Sequence, residues 1–81
     1  MKLTVKLFAA ARELVGGDQM ELTLPADASI GQLRMALIAA APQLASLAAR
    51  SLIAVNEEYA SDTTRLRQGD VAALIPPVSG G

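Results

Sequence analysis

The sequence predicts an α+β fold in which a mixed sheet carries one main helix on one face. Three observations support this prediction. Apolar and polar residues alternate near the amino terminus, an apolar stripe of helical period runs through the middle, and short apolar runs bounded by turn residues follow. The 81 residues fit one domain, because two independent hydrophobic cores would need a longer chain.

The first part of the chain predicts two strands on either side of a run of helix formers. Residues 3–8 and 19–24 each alternate polar and apolar side chains, which is the pattern of a strand with one buried face. Between them, residues 9–15 are good helix formers, and the glycines at residues 16–17 end any regular element. The positions expected to point into the core are Leu3, Val5, Leu7, Met20, Leu22 and Leu24.

The main helix is predicted to begin at Ser29. Ser29 and Gln32 have the spacing of a capping box, in which each side chain accepts a hydrogen bond from the other residue's backbone amide. Apolar residues then recur at helical spacing as far as Ala41, and Pro42 cannot continue the hydrogen-bond ladder. Residues 43–49 are predicted to form a short second helical piece.

Three more strands are predicted in the second half. Residues 52–55 form a short apolar run, residues 59–60 follow a polar turn, and residues 71–75 follow a tight turn. The resulting order is strand, strand, helix, strand, short strand, strand, and a β-grasp fold is the simplest arrangement that fits it. That architecture serves many unrelated roles, so it does not assign a function by itself.

The composition excludes most enzymatic chemistry and several classes of partner. With no cysteine and no histidine, the chain lacks a thiolate nucleophile, an imidazole base and an ordinary zinc site. Seven basic residues against eight acidic ones give a net charge of −1, which does not favour nucleic acid as a partner. No apolar run approaches the roughly 20 residues that span a bilayer, and no signal peptide is recognisable. We therefore expect a cytoplasmic protein that binds neither membrane nor metal.

The carboxyl-terminal residues carry the clearest functional signal. Pro76 and Pro77 directly follow the last predicted strand, stop further ladder bonding and favour an extended exit from the domain. We therefore expect a β-grasp domain over residues 1–75 and a stiff tail over residues 76–81. At about 3.3 Å per residue the tail reaches about 20 Å, which is long enough to enter another protein's active site.

Two glycines end the tail. Gly80 and Gly81 have no Cβ atoms, so a narrow channel can close around them without clashes. The reactive group is then the terminal carboxylate of Gly81, which is ionised at neutral pH and can attack the α-phosphate of ATP to give an acyl-adenylate. The alternative is a frayed terminus without a function.

Four segments together resemble a known family. They are residues 7–13 (LFAAARE), 55–56 (VN), 69–71 (GDV) and, most specifically, 76–81 (PPVSGG). On these segments the chain resembles, from end to end, the small subunits of molybdopterin synthase, which are ubiquitin-like sulfur carriers. The resemblance implies a role in building the dithiolene of molybdopterin during molybdenum cofactor biosynthesis.

The resemblance also implies a chemistry and a set of partners. A ubiquitin-activating-like adenylyltransferase would use ATP to adenylate the Gly81 carboxylate, and a sulfur donor protein would supply the sulfur for a thiocarboxylate. The chain would bind no cofactor and would not be an enzyme on its own, because the catalytic pocket would lie in the large subunit of the synthase. The residues expected to thread into that pocket are Pro76, Pro77, Val78, Ser79 and Gly80.

An apolar docking patch beside the tail is a further implication of the resemblance. Strand parity makes Phe8, Leu74 and Ile75 candidates for it, together with Val78 in the tail. Leu74 and Ile75 point to opposite faces of the last strand, so at least one of them is expected in the core. Phe8 is a candidate for either face. Arg12 is a candidate recognition residue, with an exposed solvated side chain as the alternative.

Two other functions remain as alternatives. A thiazole-pathway sulfur carrier also ends in two glycines, but such carriers tend to be shorter and to lack the two prolines. A ubiquitin-like interaction module whose tail is never activated is the second alternative, and an unchanged carboxyl-terminal mass after incubation with the activating enzyme and ATP would favour it. A self-sufficient enzyme is the weakest hypothesis, because no general base or nucleophile of the required type is present.

Overall fold

Five strands form one mixed sheet in the order β2-β1-β5-β3-β4 in the computed structural model, which describes residues 1–77. The strands are β1 (Lys2–Leu7), β2 (Gln19–Thr23), β3 (Leu52–Val55), β4 (Glu58–Ala60) and β5 (Val71–Ile75). β1 and β5 are parallel neighbours, and the other neighbouring pairs are antiparallel. The predicted mixed sheet is confirmed, and β5 lies at its centre.

Three helices and one 3₁₀ turn accompany the sheet. They are α1 (Ala9–Val15), α2 (Ile30–Ala40), the 3₁₀ turn (Pro42–Leu44) and α3 (Ala45–Arg50). The capping box at the start of α2 is confirmed: the Gln32 amide donates to Ser29 Oγ at 3.2 Å, and the Ser29 amide donates to Gln32 Oε1 at 2.8 Å. The second helical piece is also confirmed and extends to Arg50, with Pro42 at its beginning.

The core lies between α2 and one face of the sheet. Its β1 members alternate along the strand as the sequence predicts, and α2 contributes a stripe at helical spacing. The largest fully buried side chains are Leu3, Val5, Leu7, Ile30, Leu33, Leu37, Leu44, Ile53, Leu66 and Leu74. The presence of Leu74 in this set corrects one of the interface candidates, because a side chain that is 0% exposed offers no surface to a partner.

The β3–β4 hairpin is tied to the beginning of β5. Asn56 and Glu57 form its two-residue turn with φ angles of 49° and 71°, and two positive φ angles match the right-handed twist of the flanking strands. The Asn56 side chain donates to Asp70 Oδ1 at 3.0 Å and accepts from the Val71 amide at 3.1 Å. These bonds fix the hairpin against the central strand, so the positions of β4 and β5 are coupled.

Arg34 holds together three segments on the helical side. Its Nη1 donates to the carbonyl oxygens of Ala48 at 2.6 Å and Ser51 at 2.7 Å, and its Nη2 pairs with Asp62 Oδ1 at 2.8 Å. The Ala48 carbonyl also accepts from the Ser51 amide at 3.3 Å, so the guanidinium adds a second donor there and supplies a donor to the Ser51 carbonyl just beyond the helix end. Arg34 therefore joins α2 to the end of α3 and to the segment that precedes β5.

Candidate functional site: the uncovered face of the sheet

The helices cover one face of the sheet, and we call the opposite face the open face. Strand parity places Val71, Ala73 and Ile75 of β5 on the open face, because Ala72 and Leu74 point into the core. The register of the neighbouring strands places Lys6 beside Ala73 and Leu52 beside Ile75. The central strand thus carries its apolar outer side chains between β1 and β3.

A shallow depression of about 650 Å³ lies on the open face. Its floor is a row of residues that are paired across four adjacent strands: Lys6, Ala73, Ala54 and Tyr59. The two alanines at the centre of this row are short, and the larger side chains around them form the walls. Those walls include Phe8, Val71 and Ile75, together with the side chain of Tyr59 at one end of the row. The shape follows from the contrast between small and large side chains in one sheet.

Large apolar side chains on the open face are accessible to a partner. Phe8 is 45% exposed, Leu52 58%, Tyr59 70% and Val71 37%. Each lies on the open face or at its border, so their exposed surfaces lie on one side of the molecule. A contiguous exposed apolar patch on a small domain is typical of a protein interaction site.

The structure settles the positions of the interface candidates. Phe8 lies on the open face in extended backbone between β1 and α1, and Ile75 is half-buried on the same face. The prediction for Leu74 was wrong: its side chain points to the face of β5 opposite that of Ile75 and is buried in the core. Arg12 is exposed on α1 and lines a smaller depression with Lys6 and Phe8.

The tail leaves the domain at the end of the central strand. Pro76 is half-buried and Pro77 is exposed directly after Ile75, which lies beside Leu52. The tail therefore begins next to the apolar patch. The expectations for Val78, Ser79, Gly80 and Gly81 concern residues outside the described range.

The sequence did not identify three of the exposed residues on this face, Leu52, Tyr59 and Val71. They belong to three different strands. Alternation within each strand indicates which residues share a face, but only the pairing of β3 with β5 and β4 unites them. The sequence did contain a signal for Val71, because it has the same parity as Ile75 in the last strand and therefore lies on the same face.

The described side chains offer a recognition surface. Within residues 1–77, no group of three carboxylate, histidine or cysteine side chains is placed to hold a metal ion. No helix in that range is both long and apolar enough to cross a membrane. What these residues provide is an apolar face beside the point where the tail begins.

A helix-covered mixed sheet with the strand order 2-1-5-3-4 defines the β-grasp class of ubiquitin-like proteins. The chain belongs to the ThiS family, whose sequence model matches residues 5–81. The match includes the central strand, the open face and the terminal glycines.

Relatives of known name extend over the whole length. A molybdopterin synthase sulfur carrier subunit from Dictyostelium discoideum is 40% identical over 80 residues, which is 95% of this chain and 93% of that protein. The protein of the same name from Arabidopsis thaliana is 35% identical over 81 residues, which is 100% of this chain and 84% of that protein. Among solved structures, SAMP1 from Haloferax volcanii, a small archaeal modifier protein, has a TM-score of 0.89 at 30% identity, with 100% of both chains covered.

Proposed function

We propose that this chain is the sulfur carrier subunit of a molybdopterin synthase. The observation that carries the proposal is the similarity, at 35% and 40% identity over nearly the full length, to proteins that bear this name. The tail sequence supports it, because Pro76 and Pro77 favour an extended exit from the domain and the sequence ends in two glycines. An apolar surface beside a tail suits a protein that presents its terminus to other proteins.

The proposed chemistry takes place at the terminal carboxylate of Gly81. In the active site of an adenylyltransferase, this carboxylate attacks the α-phosphorus of ATP, pyrophosphate leaves and an acyl-adenylate forms. Sulfur delivered at the oxidation level of sulfide attacks the acyl carbon, AMP leaves and a thiocarboxylate results. The large subunit then takes up this sulfur for the dithiolene of molybdopterin, and water supplies the oxygen atom that regenerates the carboxylate.

The described residues would contribute recognition to each step. Phe8 and Ile75 on the open face would dock on the adenylyltransferase and on the large subunit, and Arg12 would contact them at the margin. The tail would then enter the partner's catalytic pocket, because it begins at the edge of the docked face. The reaction consumes ATP, and we expect it in the cytoplasm.

Intact-protein mass spectrometry tests this proposal. The chain is incubated with the adenylyltransferase, ATP and a sulfur donor, and its mass should rise by about 16 Da as one carboxyl oxygen is replaced by sulfur. Deletion of Gly81 serves as the control and should abolish the increase while the fold remains intact. An unchanged mass of the full chain would instead support an interaction module that is never activated.

A second candidate function is that of a protein modifier, which the TM-score of 0.89 with SAMP1 favours. The same activated carboxylate would then form an amide with a lysine amine of another protein, with loss of AMP. Covalent adducts on cellular proteins, in place of a thiocarboxylate, would support this function. A thiazole-pathway carrier would also form a thiocarboxylate, so reconstitution with a thiazole synthase in place of the molybdopterin synthase large subunit separates those two functions.

A further inference from the structure

Lys6 is a cation at the border of the apolar surface, between Ala73 of the central strand and Gln19 of the edge strand β2. It lies on β1, and two residues further along the chain is Phe8. Lys6 lines the depression of about 650 Å³ on the open face, and it also lines the smaller depression that contains Arg12. Any partner that covers Phe8 and the alanine floor must therefore also cover Lys6.

Within residues 1–77, no carboxylate forms an ion pair with Lys6. Glu57 lines the same depression, Asp18 lines the neighbouring one, and Glu21 lies on the open face of β2 opposite Thr4. None of these three carboxylates lies within 4.0 Å of the Lys6 ammonium, and the ion pair formed within residues 1–77 is that of Arg34 with Asp62. Lys6 is exposed, so water solvates its charge in the free protein.

Docking changes this situation. Covering the apolar surface removes water from the lysine ammonium, and an unpaired charge in a desolvated contact is unfavourable. A carboxylate on the partner would compensate for the lost solvation of the ammonium, whereas a basic residue in the same place would repel it. The charge of Lys6 therefore discriminates between partners that otherwise present similar apolar surfaces.

We propose that the partner surface that covers the open face presents a carboxylate to Lys6, and that Lys6 determines which partner surfaces the carrier accepts. This proposal rests on the proposed function, because it takes the molybdopterin synthase large subunit as the partner. It adds the chemical character of the contact: an apolar surface with an acidic side chain opposite the Lys6–Ala73 pair.

The chain contains a matched control for Lys6. Lys2 lies on the same strand with the same parity and is also exposed. At about 3.3 Å per residue it is about 13 Å away along β1. Lys2 pairs with Thr23 of the edge strand and does not line the depression. Substitutions of the two lysines therefore change the net charge equally and differ in their distance from the docking surface.

Isothermal titration calorimetry of the full-length carrier with the large subunit from the same source tests the proposal. The variants are Lys6→Met, Lys6→Arg and Lys2→Met, each verified as folded by its thermal transition. Lys6→Met retains the apolar length of the side chain and removes its charge. We expect it to bind at least about tenfold more weakly, because the partner's carboxylate is left buried and unpaired. Lys6→Arg and Lys2→Met should each remain within about threefold of the unmodified chain.

Salt dependence provides an independent measurement. Raising the salt from about 50 mM to about 500 mM should weaken the unmodified carrier more than Lys6→Met, because only the former has the ion pair to screen. If Lys6→Met binds as tightly as the unmodified chain, or more tightly, Lys6 is a bystander and the proposal is wrong. If the unmodified carrier does not bind the large subunit at all, the proposed function is wrong, and this proposal is wrong with it.

Discussion

Replacing Phe8 with alanine should weaken binding of the molybdopterin synthase large subunit by a predictable amount. A phenylalanine side chain buries about 200 Å² when it is fully enclosed. Phe8 is 45% exposed in the free domain, which leaves about 90 Å² for a partner to cover. At about 25 cal/mol per Å², that area contributes about 2 kcal/mol, or about a 30-fold change in Kd.

Leu14→Ala is the matched control for this substitution. Leu14 is 48% exposed, almost the same fraction as Phe8, but it lies on α1 and does not line the depression on the open face. Both variants should lower the free energy of unfolding by up to about 2 to 3 kcal/mol, because each loses contacts that are already buried. Only Phe8→Ala should weaken binding, with Leu14→Ala within about twofold of the unmodified chain.

Calorimetric titration well below the thermal transition measures the affinities, and urea unfolding measures the stabilities. The interpretation of Phe8 as a docking residue would be refuted if Phe8→Ala kept the affinity of the unmodified chain. It would also be refuted if Leu14→Ala weakened binding as much as Phe8→Ala, because the loss would then follow stability and not position.

The remaining predictions concern the core, the helical side and the tail. Leu74→Ala should cost about 2 to 5 kcal/mol in urea unfolding because Leu74 is fully buried, and an unchanged transition would contradict its place in the core. Arg34→Met should cost about 2 to 4 kcal/mol by removing the donors to two carbonyls. Asp62 is the exposed partner of Arg34, and Asp62→Asn should cost under about 1 kcal/mol. If Arg34→Met costs no more than Asp62→Asn, the bonds from Arg34 to the carbonyls do not stabilise the fold. Gly80→Ala should slow sulfur transfer while the thermal transition stays within about 2 °C, because its methyl group obstructs a channel shaped for bare backbone; parallel losses would indicate a folding role.

The sequence by itself determined the elements whose causes are local. Ser29 and Gln32 predicted the beginning of the main helix, because a capping box is formed by two residues three positions apart in the sequence. The strands over residues 52–55 and 71–75 have the observed bounds because their apolar runs end at turn residues. The other three strands differ from the prediction by one residue at one or both ends: β1 covers Lys2–Leu7, so that Phe8 precedes α1, β2 ends at Thr23, and β4 begins at Glu58.

The candidate chemistry could also be predicted from a local segment, because it depends only on the identity of the last residues of the chain. The prolines and glycines of the tail indicate an extended segment with an activatable carboxylate without reference to the rest of the chain. The family match, which extends to residue 81, includes the same segment. Its adenylation and sulfur loading stay predictions, since residues 78–81 lie outside the described range.

Only the tertiary structure decided which side chains form the docking surface. Alternation placed Leu74 and Ile75 on opposite faces but did not show which face the helices cover, and the packing of α2 assigned Leu74 to the core. Tyr59 joins Lys6 in one row because β5 and β3 lie between their strands, and that order results from contacts between residues far apart in the sequence. Periodicity within a strand fixes parity, whereas the partners across a sheet are set by how all the apolar faces are buried together.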